Sequence, residues 1–220
     1  MTTVTALHRW PAPGPPGATE DAGAFRRRLL DGLAASIAET GYRNTTVADI
    51  VRRARTSRRT FYEHFSGKEA CFVALLTDTK TEMVRRIAAA VDPARPWRHQ
   101  VRQAITAWID CAESTPAITL SWIRDLPSLG AAARDLERDV MAAFVVMIET
   151  RCDTAQWRSA GAGPVSLHLA ILLLGGLREL FAVTVEDGGR LSDVTEVAVR
   201  ATIALLGPPA EPPPAVSPTA

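Results

Sequence analysis

The chain has 220 residues, 47% of them apolar, and a formal net charge of +1. That composition supports one large or two small globular domains and excludes a polybasic chain drawn to nucleic acid by bulk charge alone. The charge is uneven, however: residues 21–70 carry 10 Arg plus Lys against 6 Asp plus Glu, and the remainder 15 against 18, the asymmetry of a basic head on a mildly acidic body.

Residues 1–22 hold Pro11, Pro13, Pro15, Pro16, Gly14 and Gly17, which predicts a disordered arm with no signal peptide. From there the pattern is helical, with no sustained period-2 alternation, so the expected fold class is all-α. Leu29, Leu33 and Ile37 stripe a first helix over 24–40, stopped by Gly41. A second helix over 47–54 opens on Thr46 with Asp49 three residues on, a capping-box pattern. A third runs over 58–65 behind Ser57, and a fourth follows Ser66-x-x-Glu69 with the stripe Phe72, Leu76, Thr79, Met83, Ile87. Further helices are predicted over 97–114, from Thr115-Pro116 to about 127, over 130–153, from Pro164 to 185 and over 192–206, with a loop at 159–163 and a turn at Asp187-Gly188-Gly189. Residues 208–220, with their prolines, predict a disordered tail.

Cys71, Cys111 and Cys152 are odd in number and far apart. They have no metal-ligand spacing, so they read as reduced thiols in a reducing compartment, and no metal or cofactor is expected. The apolar run 167–177 is too short to span a bilayer. A cytoplasmic protein is expected.

The informative stretch is Thr45 to Lys68, T-T-V-A-D-I-V-R-R-A-R-T-S-R-R-T-F-Y-E-H-F-S-G-K. It predicts two short helices joined by a tight turn, the second opening on Ser57-Arg58-Arg59-Thr60 and carrying Tyr62 and His64 one turn later. Arginine bonds a guanine edge in bidentate fashion, and Tyr and His reach phosphates. These residue types in this order point to double-stranded DNA.

The same stretch, with Gly41-Tyr-Arg-Asn-Thr-Thr before it and Glu69 after it, resembles the N-terminal signature of the TetR (tetracycline-repressor-like) transcriptional regulators. The resemblance implies a three-helix helix-turn-helix DNA-binding domain over 23–70 and a helical ligand-binding and dimerisation domain over 71–207. Carried over by position, it implies DNA contacts from Thr46, Ser57, Arg58, Arg59, Thr60, Tyr62, His64 and Lys68, over a head core of Ile50, Ala54, Phe61 and Phe65. This chain departs from the family in the turn. Arg55 and Thr56 stand where Gly and an apolar residue are usual, and a non-Gly residue in the left-handed region costs roughly 1 kcal/mol.

In the body, aromatic and Met side chains suit an apolar pocket, with Trp108, Trp122, Met141, Phe144, Met147 and His168 as candidate effector-binding residues and Asp110 and Arg124 as further polar candidates. Equally, such residues form an ordinary core. The helix carrying Leu169, Leu172, Leu173, Gly176 and Leu180 is apolar almost all round, and the last helix presents Val194, Val197, Ala201 and Leu205. Two such copies bury these faces as a homodimer, with Gly175-Gly176 permitting close approach.

The reading is therefore a homodimeric, ligand-responsive repressor on a palindromic operator, released by a small apolar or amphipathic effector. A regulator of the same family without a small-molecule effector is the first alternative. An enzyme is the second, without support from any Ser/His/Asp, Cys/His or Gly-rich phosphate-loop grouping.

Overall fold

The computed structural model describes residues 16–152, 155–159 and 165–207. Residues 1–15 of the predicted arm, the loop residues 160–163, the opening Pro164 and the tail over 208–220 lie outside them. The described residues form ten α-helices and two short 3₁₀ turns, with no strand among them. The helices are α1 Pro16–Asn44, α2 Val47–Arg53, α3 Arg58–His64, α4 Lys68–Ala90, α5 Trp97–Ser114, α6 Pro116–Arg124, α7 Gly130–Cys152, α8 Ala155–Ser159, α9 Leu167–Glu186 and α10 Thr195–Leu206.

The three N-terminal helices pack as a head. α1 starts at Pro16, eight residues before the expected start and inside the segment expected to be disordered. Proline suits this position, because its fixed φ is helical and its missing N–H is unneeded in the first turn. At the other end Gly41 takes φ 76, ψ 161 and kinks the helix before Tyr42–Asn44. Thr46 caps α2 through the capping box with Asp49, and the Ser57 hydroxyl caps α3 by accepting from the Thr60 amide at 3.1 Å. The box expected at Ser66 does not form. Gly67 is the cap residue of α4 and no side chain caps that helix.

The close approach of α1 and α2 depends on Gly32. A Cβ there would lie 2.8 Å from the Ile50 carbonyl and 3.2 Å from the Ala54 amide. Leu29, Leu33, Ile37, Ile50, Phe61, Phe72 and Leu76 are all fully buried around this contact.

α4 leaves the head and runs through the body, where it packs on α5 and α7; α6 packs on α1 and α9, and α10 on α5 and α9. Pro116 is the first residue of α6, but Thr115 gives it no side-chain cap. α9 is longer than the apolar run that marked it. At 20 residues it has the length and hydropathy of a membrane span, so shortness does not exclude one. Ala170, Leu173, Leu174, Leu177, Phe181 and Ala182 of this helix are instead buried in the core, and it carries Arg178 and Glu179.

Gly32→Ala is expected to destabilise the protein by about 1–3 kcal/mol, because backbone must move to admit the methyl group. Gly23→Ala, in the same helix with nothing within 4 Å of its added Cβ, is expected to be neutral or to stabilise by up to about 1 kcal/mol. Urea denaturation of the two variants separates the close approach from helix propensity.

Candidate nucleic-acid interface and body cavity

Phe61 and Phe65, 5.8 Å apart between ring centroids, hold α3 against Ile50 and Ala54 in the head core. Helical periodicity then turns Arg58, Arg59, Tyr62 and Glu63 outward. Tyr62 is 58% exposed, an unusual place for an aromatic unless it meets something. The Arg59 Nε donates to Glu63 Oε1 at 3.1 Å, so that guanidinium already has a partner on its own helix. Arg58 has no carboxylate partner among the described residues. Thr60 and His64 are half-buried at the edges of this face.

Two of the expected contact residues are engaged in caps. The Thr46 hydroxyl donates to Asp49 Oδ2 at 2.6 Å, and this bond, with the backbone one, holds the Asp49 carboxyl below its ordinary range. Ser57 Oγ lies 3.0 Å from Thr60 Oγ1. Lys68 points inward. Its ammonium donates to the carbonyls of Tyr42 at 3.0 Å and Thr45 at 2.9 Å and lies 4.3 Å from the Tyr42 ring centroid. Tyr42 in turn stacks on Phe72 at 4.1 Å, and burial pushes its phenol up to about 12.

Arg55 adopts φ 49, and among the described residues it is the one non-glycine with a positive φ. The turn keeps the left-handed geometry in which glycine is usual and carries the strain, roughly 1 kcal/mol. Its side chain joins Arg28, Arg52 and Arg53 around a shallow concavity between α1 and the end of α2. Arg53 pairs with Glu39 and Arg52 with Asp49. The three companions of Arg55 were not among the sequence-derived candidates, since the arginine at each position reads singly as a solvated helix face.

The body has a partly open cavity of about 90 Å³, lined almost wholly by apolar groups of α4, α5, α7, α9 and α10 and by Trp157. Trp108, Phe144 and Met147 line it. A second recess of about 20 Å³ is lined by Trp122, Met141, Glu137 and Arg178, and it shares Trp108, Phe144 and Leu174 with the first. The polar candidates are elsewhere. His168 and Asp110 are exposed, and Arg124 fans over Glu179 and Glu186 at 2.7–2.9 Å. Gln100 and Thr202 are the polar residues at the first cavity instead, and Lys80 stands behind the Trp122 ring of the second. Among the described residues no group of His, Cys, Asp and Glu is arranged to hold a metal ion.

Residues 29–75 match the family profile of bacterial regulatory proteins, tetR family. The chain belongs to the tetR family. YhgD, an uncharacterized HTH-type transcriptional regulator of Bacillus subtilis, is 23% identical over 129 residues, 56% of this chain and 67% of its own length. YdgC of the same organism is 38% identical over 53 residues, 24% of this chain and 27% of the relative. Among solved structures, the transcriptional regulator FadR of Bacillus subtilis in complex with stearoyl-CoA has a TM-score of 0.70 at 13% identity, covering 82% of this chain and 97% of FadR. Reduced NemR of E. coli has a TM-score of 0.64 at 14% identity, covering 84% and 100%. This tetR-family protein is thus a transcriptional regulator with a helix-turn-helix DNA-binding head and a helical C-terminal domain, not an enzyme.

Burial, and then the charge of Arg178, hold the Lys80 amine well below the ordinary lysine range. Trp122 of α6, Arg178 of α9 and Cys111 of α5 are the groups that face it. The folded state therefore binds fewer protons than the unfolded state, and stability rises with pH up to the unfolded-state value near 10.4. Lys80→Met is expected to raise the melting temperature at neutral pH, and its advantage over the wild type is expected to shrink as pH approaches 10. Melting curves across that range check the sign.

Proposed function

We propose that this tetR-family regulator is a homodimeric repressor of a palindromic operator, released by a small apolar or amphipathic effector held in the body cavity. The observation that carries the reading is the outward face of α3, where Arg58, Arg59 and Tyr62 stand exposed over a rigid aromatic anchor. In this reading residues 23–70 are the DNA-binding domain and 71–207 the effector and dimerisation domain. Arg58, Arg59 and Thr60 read base edges, Tyr62 and His64 meet phosphates, and the α2 and α3 N-termini with Thr46 and Ser57 add backbone amides to the phosphate contacts. Lys68 acts from within, holding the end of α1 against the start of α4. Such a protein works in the cytoplasm, with its operator half-sites about 34–36 Å apart or a multiple of that spacing.

The effector reading is supported by the apolar cavity lined by Trp108, Phe144 and Met147, with Trp122 and Met141 beside it, and by FadR, a fold neighbour solved with stearoyl-CoA. The dimer reading is supported by α9 and α10. Leu167, Ile171, Leu172 and Val183 of α9 and Val197 and Leu205 of α10 are 40–66% exposed in one protomer. Gly176 and Ala201 lie exposed beside them, and Leu169, Leu180 and Val194 are half-buried at the margin. Leu173 faces the protomer's own core and contributes from behind. An added Cβ at Gly175 or Gly176 meets nothing within 4 Å, which leaves room for a second helix to approach closely.

Fluorescence anisotropy with DNA from upstream of this protein's own gene, at two salt concentrations and with scrambled competitor, tests the DNA reading. Arg58→Ala or Arg59→Ala is expected to relax base preference by about 1–3 kcal/mol at one position. Tyr62→Phe is expected to weaken all sequences alike. Unchanged base preference in both arginine variants would sink the assignment.

Leu172→Glu places a charge in the middle of the exposed stripe. Sedimentation is expected to show a dimer for the wild type and a folded monomer for the variant. A wild-type monomer at micromolar concentration would contradict the interface.

A further inference from the structure

Lys80 is one of two lysines in the chain, and it is 7% exposed in the middle of α4. Its Nζ lies 2.7 Å from the centroid of the Trp122 ring. The Arg178 guanidinium lies 4.7 Å from the same centroid and donates to Glu137 Oε1 at 3.3 Å. Trp122 is itself buried, and its indole N–H has no acceptor among the described residues. Two donor groups, the Trp122 indole and the Arg178 guanidinium, thus line one small recess, with the Lys80 amine against the Trp122 ring, and the lining offers a single carboxylate, already bonded to Arg178. Burying donors without acceptors is costly. An oxyanion is the group that can accept from an indole N–H and a guanidinium while favouring the protonated form of the amine behind the ring.

The recess is not isolated. Trp108, Phe144 and Leu174 form a wall common to it and to the apolar cavity. An amphiphile that lies in the cavity is therefore one side chain away from the donors.

We propose that the recess lined by Trp122 and Arg178, with Lys80 behind the Trp122 ring, receives a single carboxylate, the head of an amphiphilic effector whose hydrocarbon part fills the apolar cavity. This rests on the cavity being the effector site and adds the chemistry of its polar end. The recess, at about 20 Å³, has room and donors for one oxyanion rather than for a nucleotide, so a free carboxylate is favoured over a coenzyme A thioester. Its position also gives the carboxylate leverage. Trp122 lies one turn before Asp125, the C-cap residue of α6, whose carboxylate accepts from Arg43 of α1 at 2.8 Å.

The test is calorimetric titration of the full chain with decanoate, 1-decanol and decanoyl-CoA, each below its aggregation threshold, for the wild type, Lys80→Met, Lys80→Arg and Arg178→Met. The expected result is that the wild type prefers decanoate to decanol by at least about tenfold. The preference should collapse in Lys80→Met and Arg178→Met and persist in Lys80→Arg. Lys80→Met should still bind decanol, which shows a folded cavity. Equal affinity of the wild type for decanol and decanoate, or a preference undiminished in Lys80→Met, overturns the carboxylate assignment and leaves the cavity reading standing. Tighter binding of decanoyl-CoA than of decanoate, indifferent to Lys80, overturns it in favour of the thioester. Binding of none of the three overturns the cavity reading together with this one.

Discussion

One ammonium gathers the carbonyls where α1 gives way to α2, those of Tyr42 and Arg43 in α1 and of Thr45 just beyond it. Lys68 reaches back from the first residue of α4 to the carbonyls of Tyr42 and Thr45, where the kink at Gly41 has exposed them. Cations suit a helix C-terminus, and each charged hydrogen bond is worth about 1.5–3 kcal/mol in partly buried geometry. The junction bears directly on α2 and α3, because only two residues separate α1 from α2. The same junction joins head to body, since Lys68 opens the helix that forms one wall of the cavity.

A second tie runs beside the first. Arg43 of α1 bonds Asp125 at the end of α6, and Arg124, the preceding residue, grips Glu179 and Glu186 of α9. Exposed ion pairs of this kind are individually worth little. Their significance is geometric: they fix α6 between the helix that carries the head and the helix that carries the exposed apolar stripe. α1 is therefore held at its end by two body helices, α4 and α6, and both of them border the cavity or its recess.

Much of the head was legible from sequence. The Thr46–Asp49 and Ser57 caps, the stop at Gly41 and the alternation of Phe61 and Phe65 with Arg58 and Tyr62 are local patterns, and local patterns survive folding because their partners are three or four residues away. Lys68 defeated the same logic. Its partners are 23 and 26 residues distant, and a lysine at a helix start reads as a phosphate ligand until the kinked α1 is seen beside it. Gly32 was silent for the same reason, since the Ile50 carbonyl it accommodates lies on another helix. The body cavity was legible in residue types and not in residue choice. Trp108, Phe144 and Met147 line it as aromatic and thioether side chains should, whereas His168 was chosen for its polarity and faces outward. Lys80 went unmarked because nothing within one helical turn distinguishes a buried lysine from a solvated one.

Coupling between cavity and head requires more than contact. A ligand shifts an equilibrium only by the difference in its affinity for the two states, and equal affinity shifts nothing. An apolar chain in an apolar cavity discriminates poorly, since a modest change in helix position leaves most of its contacts intact. A charge is different, because its interaction energy at low dielectric changes steeply with distance. The donors that could supply that steepness lie on three helices, Lys80 on α4, Trp122 on α6 and Arg178 on α9. Two of these three are the helices that hold the end of α1. In the proposed complex, an acceptor that drew these donors together would shift α4 relative to α6, and the end of α1 is bonded to both.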